Sequence, residues 1–232
     1  VRGNSNSYGV SLTQPLIVTE HLKSDVALEY SRQSSKTDFL GIHWVDDTIS
    51  GYTTSFSMMN YGKSSVIFQK HCYRIGDLEN IDGQNKDFGK YQFNGLYQKV
   101  YSGGQMLTGR LDGQWSSTSY LPSAEQFYIG GAYSVRGYKE SLLGGDHCVA
   151  VSLEYSVPIA KAVSAFTFID YGSVYGDSAF EDHILMSTGI GVKATLAQNF
   201  YSSLTLGVPL RRELNGSEAG KTRLHFMFNG QF

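Results

Sequence analysis

Residues 222–232 read "TRLHFMFNGQF", and their side chains alternate between apolar and polar. One face of the extended chain carries Leu224, Phe226, Phe228 and Phe232. The other carries Arg223, His225, Asn229 and Gln231, with Met227 among them. A period of two residues is typical of a β-strand with one apolar face. The stretch therefore predicts a strand.

The same alternation recurs along the chain, while helical periodicity is nearly absent. Eleven segments begin near residues 8, 25, 38, 51, 89, 105, 147, 162, 183, 199 and 222. Their connections alternate in length, with short ones at 46–51, 101–104, 158–161 and 196–199. Long polar connections are predicted at 61–88, 117–146, 172–182 and 208–221. Short turns at one edge and long loops at the other indicate an all-β transmembrane antiparallel β-barrel of the outer membrane.

A soluble β-sandwich is the main alternative, because its single strands show the same alternation. Acidic, basic and amide side chains lie deep within the predicted strands, which suits a wet lumen better than a dry core. The net charge of −2 leaves no basic field that would attract nucleic acid. An odd number of strands is unusual for a single-chain bacterial barrel. We therefore expect the sequence to be the C-terminal part of a larger barrel, with N-terminal strands missing.

The connection 117–146 contains "YIGGAYSVRGYKESLLGGD" (128–146), with one arginine among its glycines. Its apolar residues argue against disorder, so we expect it to fold inward and lie in the lumen as a lid. A lumenal Arg136 would be partly desolvated and would need an acidic partner. The acids predicted to face the lumen are Asp112, Glu154 and Asp170, and we expect a direct contact with Asp170. Arg110 belongs to the same polar face.

Two short motifs carry a family resemblance. The first is "VRGY", formed by Val135, Arg136, Gly137 and Tyr138; the second is F-x-D-x-G, formed by Phe168, Asp170 and Gly172. Together they resemble the signature motifs of the outer-membrane assembly and secretion superfamily, which includes the BamA-like barrels. "SLTQPL" (11–16), "LEYSVPI" (153–159) and "LGVPL" (206–210) are similar to its hemolysin-activator, or two-partner secretion, branch.

The resemblance implies a sixteen-stranded parent barrel whose loop after the eleventh strand folds inward and places the arginine on the aspartate. The eleven segments would then be strands six to sixteen. Strands one to five and the periplasmic POTRA domains would lie outside residues 1–232.

The implied function is export of an unfolded, secreted exoprotein across the outer membrane. The alternatives are a factor that assembles other outer-membrane proteins and a passive porin. The expected partners are the exoprotein, outer-membrane lipids and, during insertion, the barrel-assembly machinery. We expect no enzymatic activity, no cofactor and no nucleic-acid partner.

Three smaller features complete the predictions. Phe226, Phe228 and Phe232 resemble the C-terminal signal for barrel insertion, and strand addition suits such an edge. Cys72 and Cys148 fall at the extracellular end, where they could pair, but the simpler interpretation is two free thiols. The six histidines show no ligand spacing, so no metal site is expected.

Overall fold

The computed structural model describes residues 2–39, 42–79, 85–118, 121–176, 184–197, 199–214 and 216–230. Eleven strands form one sheet in which every neighbouring pair is antiparallel. They are β1 (Arg2–Val18), β2 (Leu22–Phe39), β3 (Ile42–Tyr61), β4 (Ser65–Glu79), β5 (Asn85–Val100), β6 (Met106–Ser116), β9 (His147–Ala160), β10 (Val163–Tyr175), β11 (Ile184–Ala197), β12 (Phe200–Pro209) and β15 (Arg223–Gly230). Four short strands lie in the loops: β7 (Phe127–Ile129), β8 (Leu143–Gly145), β13 (Glu213–Leu214) and β14 (Ser217–Glu218).

The strands follow one another around the sheet in chain order, with β1 and β15 at the two edges. Within the described ranges these two edges do not pair, so the sheet is an open part of a barrel wall. Among these residues, no helix is long and apolar enough to cross a membrane.

The two faces of the sheet differ as the alternation predicts. On β9, Val151, Leu153 and Tyr155 are each at least 40% exposed, whereas Ser152 and Glu154 on the other face are both 8% exposed. An extended apolar surface of this kind suits contact with lipid. We call the opposite side, which carries Ser152 and Glu154, the polar face.

The predicted strand count is correct, but two boundaries are wrong. Residues 46–51 are not a turn, because the predicted segments near 38 and 51 belong largely to one strand, β3. Residues 61–88 are not a long loop, because β4 occupies Ser65–Glu79. Gly51 serves close strand packing instead of a turn: a Cβ there would lie 2.5 Å from the carbonyl oxygen of Ile75.

Short and long connections still lie at opposite ends of the strands. The short turns 19–21, 62–64, 101–105 and 161–162 lie at one end, and the long connections 117–146 and 210–222 lie at the other. Most of the predicted connection 172–182 falls on residues 177–183, outside the described ranges, while its first residues continue β10 to Tyr175. Short turns are periplasmic in such barrels, so the end of the strands that carries the long loops is the extracellular end.

The loop 117–146 packs on the polar face and supplies four of the nine residues of the buried apolar cluster. β7 pairs with β8 at the base of this loop, which makes it a hairpin with its tip at 130–142. The cluster joins Ile129, Val135, Tyr138 and Leu143 of the loop to Cys148, Ala150, Val174 and Leu185 of the wall and to Leu214 of β13. Burial of this apolar surface holds the loop against the wall.

Candidate functional site

Arg136 is the centre of a hydrogen-bond network between the loop tip and two strands. Its Nε and Nη2 donate to the two carboxylate oxygens of Asp170, each at 2.8 Å, and its backbone N–H donates to Asp170 at 3.1 Å. Its Nη1 donates to Glu154 at 3.0 Å, and Nη2 also donates to Ser152 at 3.1 Å. The Ser152 hydroxyl donates to Asp170 at 2.7 Å. The guanidinium fork thus binds one carboxylate with two hydrogen bonds and a second with one.

The network is largely buried. The side chain of Asp170 is 0% exposed and that of Arg136 is 11% exposed. Phe168 stacks its ring beneath the guanidinium, with 3.4 Å between Cζ and the ring centroid. Burial alone would lower the pKa of Arg136, but the hydrogen bonds and charges of Asp170 and Glu154 outweigh it and raise that pKa. Arg136 therefore stays charged.

Val135 packs directly against Gly172, the glycine of the F-x-D-x-G motif. A Cβ on Gly172 would lie 2.8 Å from Cγ2 of Val135 and 3.0 Å from Cδ1 of Ile129. The last residue of F-x-D-x-G must be small, because the first residue of VRGY occupies the space above it.

Gly137 brings the loop backbone against β12. Its φ is +90°, and a Cβ there would lie 3.2 Å from the carbonyl oxygen of Gly207. Its N–H donates to Nε2 of His225 on β15, at 3.2 Å. Both the left-handed backbone and the close approach favour glycine at this position.

Tyr138 closes the motif at the ends of β11 and β12. Its side chain is fully buried, and its hydroxyl lies 2.8 Å from the carbonyl oxygen of Met186 and 2.7 Å from that of Arg211. Burial raises the pKa of Tyr138, so the hydroxyl keeps its proton at neutral pH. A buried tyrosine of this kind needs a polar partner for its hydroxyl, and here two carbonyl groups are available.

The other predicted polar residues lie on the same face with different partners. Asp112 does not contact Arg136; it accepts from Asn94 at 2.9 Å and pairs with Arg110 at 3.5 Å. Arg110 also donates to the carbonyl oxygen of Tyr133 in the loop. Glu154 pairs with Lys193 of β11 in addition to Arg136.

The predicted C-terminal signal is described only in part. Phe226 and Phe228 lie on the apolar face of β15 and are 70% and 52% exposed, whereas Phe232 lies outside the described residues. The role of these residues in insertion stays a prediction.

The two cysteines are free and belong to the wall. Cys72 lies within β4, not in a loop, and pairs in register with Gln92, which pairs with Gln114, which pairs with Cys148. The two Cα atoms are thus three strand spacings apart, about 14 Å, well beyond the reach of a disulfide. Among the described residues, no group of His, Cys, Asp and Glu could hold a metal ion.

A second ion cluster was not predicted. Glu125 of the loop accepts from Arg74 of β4 at 3.1 Å and from Lys90 of β5 at 2.7 Å. The sequence alone does not place Arg74 on a strand, because residues 61–88 are predicted as a loop, whereas the structure puts Arg74 on β4. Glu125 itself stands in "PSAEQF" without a neighbouring base, so local spacing gives no hint of its partners.

Comparison with known proteins agrees with this geometry. The chain is similar in fold to CdiB from Acinetobacter baumannii, at 21% identity and a TM-score of 0.83, over 98% of this chain and 42% of that one. It is also similar to CdiB from Escherichia coli, at 16% identity and a TM-score of 0.81, over 98% of this chain and 45% of that one. The chain therefore spans less than half the length of either protein. A search of curated protein sequences gives no match.

The family assignment comes from the sequence itself. The family model for haemolysin secretion/activation protein ShlB/FhaC/HecB matches residues 1–194, which is most of the chain. The open antiparallel wall with its exposed apolar face is that of an outer-membrane β-barrel of Gram-negative bacteria. The chain belongs to the haemolysin secretion/activation protein family ShlB/FhaC/HecB.

Proposed function

We propose that this chain forms part of the pore of a two-partner secretion transporter, which exports an unfolded exoprotein across the outer membrane. The observation that carries the proposal is the docking of loop 117–146 on the polar face through Arg136 and Asp170. A large internal loop held by a buried ion pair is what a gated protein channel needs. A passive porin needs no such element.

The wall offers a surface suited to an extended polypeptide. Beside the docked loop tip lies a cavity of about 550 Å³, lined by side chains that include Arg110, Glu154, Lys193 and His225. Donors and acceptors of both charges can exchange hydrogen bonds with a passing backbone without holding one sequence tightly. Because no nucleotide is available at the outer membrane, we expect folding of the exoprotein outside the cell to provide the driving force.

We propose no enzymatic activity and no cofactor for this chain. In the full-length protein, the periplasmic POTRA domains would capture the exoprotein and further strands would complete the barrel. Outer-membrane lipids contact the apolar face, and the barrel-assembly machinery inserts the chain.

The test is an export assay with the full-length protein and the exoprotein encoded beside it. Deletion of the transporter should leave the exoprotein in the periplasm, and the wild-type gene should restore its appearance outside the cell. Levels of other outer-membrane proteins are measured in the same cells. Normal export with depleted outer-membrane proteins would contradict the proposal and support an assembly factor.

A further inference from the structure

The loop is attached to the polar face at two separate points. In the wall, Arg74 pairs in register with Lys90, and Lys90 with Ser116 of β6. Arg110 of β6 pairs with Ser152, and Ser152 with Asp170. Ser116 and Arg110 are six residues apart on one strand, so the two register rows are roughly 20 Å apart along the strands. The Arg74 cluster lies in the extracellular half of β4 and β5, and we call this region the mouth.

The two attachments have opposite charge. At the mouth, the loop supplies an acid, Glu125, to two bases of the wall. At the second point, the loop supplies a base, Arg136, to two acids of the wall. When the hairpin leaves, Arg74 and Lys90 lose the Glu125 carboxylate, whereas Glu154 keeps Lys193 and Asp170 keeps the Ser152 hydroxyl.

Arg74 is held in place independently of the loop, whereas Lys90 contacts Glu125 of the loop. Nη1 of Arg74 donates to the hydroxyls of Ser31 on β2 at 2.9 Å and Thr53 on β3 at 3.1 Å. The Arg74 and Lys90 side chains are only 13% and 7% exposed while Glu125 is bound. A buried pair of bases costs free energy when it loses its carboxylate, so it favours a replacement.

We propose that Arg74 and Lys90 form a carboxylate-binding site at the mouth, occupied by Glu125 when the loop is docked. An acidic side chain of the polypeptide in transit takes the site when the loop leaves. This inference rests on the proposed function, since it needs a polypeptide in the pore. Competition of this kind lets the exoprotein hold the loop open without an external energy source.

Cys148 provides a native reporter that does not depend on export. It is 1% exposed and lies in the cluster beneath Ile129, Val135 and Tyr138 of the loop, so a polar maleimide reaches it only when the loop undocks. The full-length protein carries Cys72→Ser, and any cysteines outside this chain are also replaced. This protein is then reconstituted into proteoliposomes. The rate of Cys148 labelling then measures loop opening.

Glu125→Gln should raise the labelling rate by roughly tenfold or more, because it leaves Arg74 and Lys90 without a carboxylate. Glu218→Gln is the matched control: Glu218 pairs with Lys221 on an exposed loop, and its loss should leave the rate unchanged. Lys90→Gln should also raise the labelling rate. Glu125→Gln and Lys90→Gln must both keep the heat-modifiable gel migration of a folded barrel. If both of these variants are labelled at the parent rate, the inference is overturned.

The second arm uses an unstructured peptide rich in glutamate as the probe, with its glutamine analogue as control. The acidic peptide should accelerate labelling of the parent protein, and Arg74→Gln should remove that dependence on peptide. Equal effects of the two peptides, or no effect, would contradict the carboxylate site. Because labelling is read without secretion, failure here is distinct from failure of the export assay.

Discussion

Arg136 of the loop binds Asp170 of β10 through its guanidinium Nε and Nη2 and through its own backbone N–H, so one residue fixes both the side chain and the main chain of the loop tip. Asp170 lies opposite Ser152 in the sheet register, which puts the serine hydroxyl into the same network. Loss of Arg136 leaves Asp170 buried without this charge partner, and loss of Asp170 leaves Arg136 with Glu154 as its remaining carboxylate. Breaking such a pair typically costs about 3–5 kcal/mol, whereas an exposed pair contributes about 1 kcal/mol or less.

We expect Arg136→Ala to reduce exoprotein export strongly while the barrel remains folded. The loop tip loses its ion pairs with Asp170 and Glu154, but the strands keep their own hydrogen bonds. Arg110→Ala is the matched control, since Arg110 lies on the same face with a side chain 37% exposed, and it should reduce export far less. Export is measured in culture supernatants, and folding by heat-modifiable migration. Wild-type export from Arg136→Ala would rule out the proposed role of the loop.

Charge exchange tests whether the contact itself matters. The double variant Arg136→Asp with Asp170→Arg should export more than either single variant, because an opposite pair is restored. Recovery should be partial, since Glu154 would then face an aspartate and the Phe168 ring would lose its cation. Export by all three variants is compared at equal amounts in the outer membrane. A double variant no better than the worse single one would indicate separate roles for the two residues.

The fold was predictable wherever alternation was clear, and the errors have one physical origin. In a lumenal barrel wall, Asp and Lys are ordinary strand residues, whereas in soluble proteins both are depleted from strands and Asp favours turns. "DDTISG" (46–51) therefore resembles a turn and the charged stretch "SVIFQKHCYRIGDLE" (65–79) resembles a loop, although both lie on strands. The first error divides β3 into two predicted strands and the second omits β4, so the total number of strands is unchanged.

The candidate site was predictable to the extent that its residues form local motifs. Arg136 and Asp170 could be paired because each stands in a short recognisable pattern. Glu125 could not be paired, since its partners are 51 and 35 residues away on strands whose register only the structure gives. Arg74 is recognisable as a wall residue only once β4 is known to be a strand.

The cysteines give a prediction about oxidation. Because Cys72 and Cys148 lie three strands apart in one register row, both should remain free thiols in the mature protein. Cys72 should alkylate faster, since Cys148 is buried under the loop. Alkylation of the native protein followed by mass spectrometry of the two peptides measures both. A peptide linking Cys72 to Cys148 would contradict the register described here.

The close contact between Gly137 and Gly207 allows the loop to be displaced without altering the loop sequence. A Cβ on Gly207 would lie 2.6 Å from the backbone nitrogen of Gly137, and neither this Cβ nor the Gly137 nitrogen can move without its main chain. Gly207→Ala should therefore separate the loop from β12, lengthen the hydrogen bond from Gly137 to His225 and reduce export. Gly109→Ala is the control: on β6 its nearest neighbour would be Leu153 Cδ1 at 4.0 Å, so the same substitution meets no obstacle. Cys148 labelling should increase for Gly207→Ala and stay at the parent rate for Gly109→Ala. Equal labelling of the two variants would show that the loop does not depend on this contact.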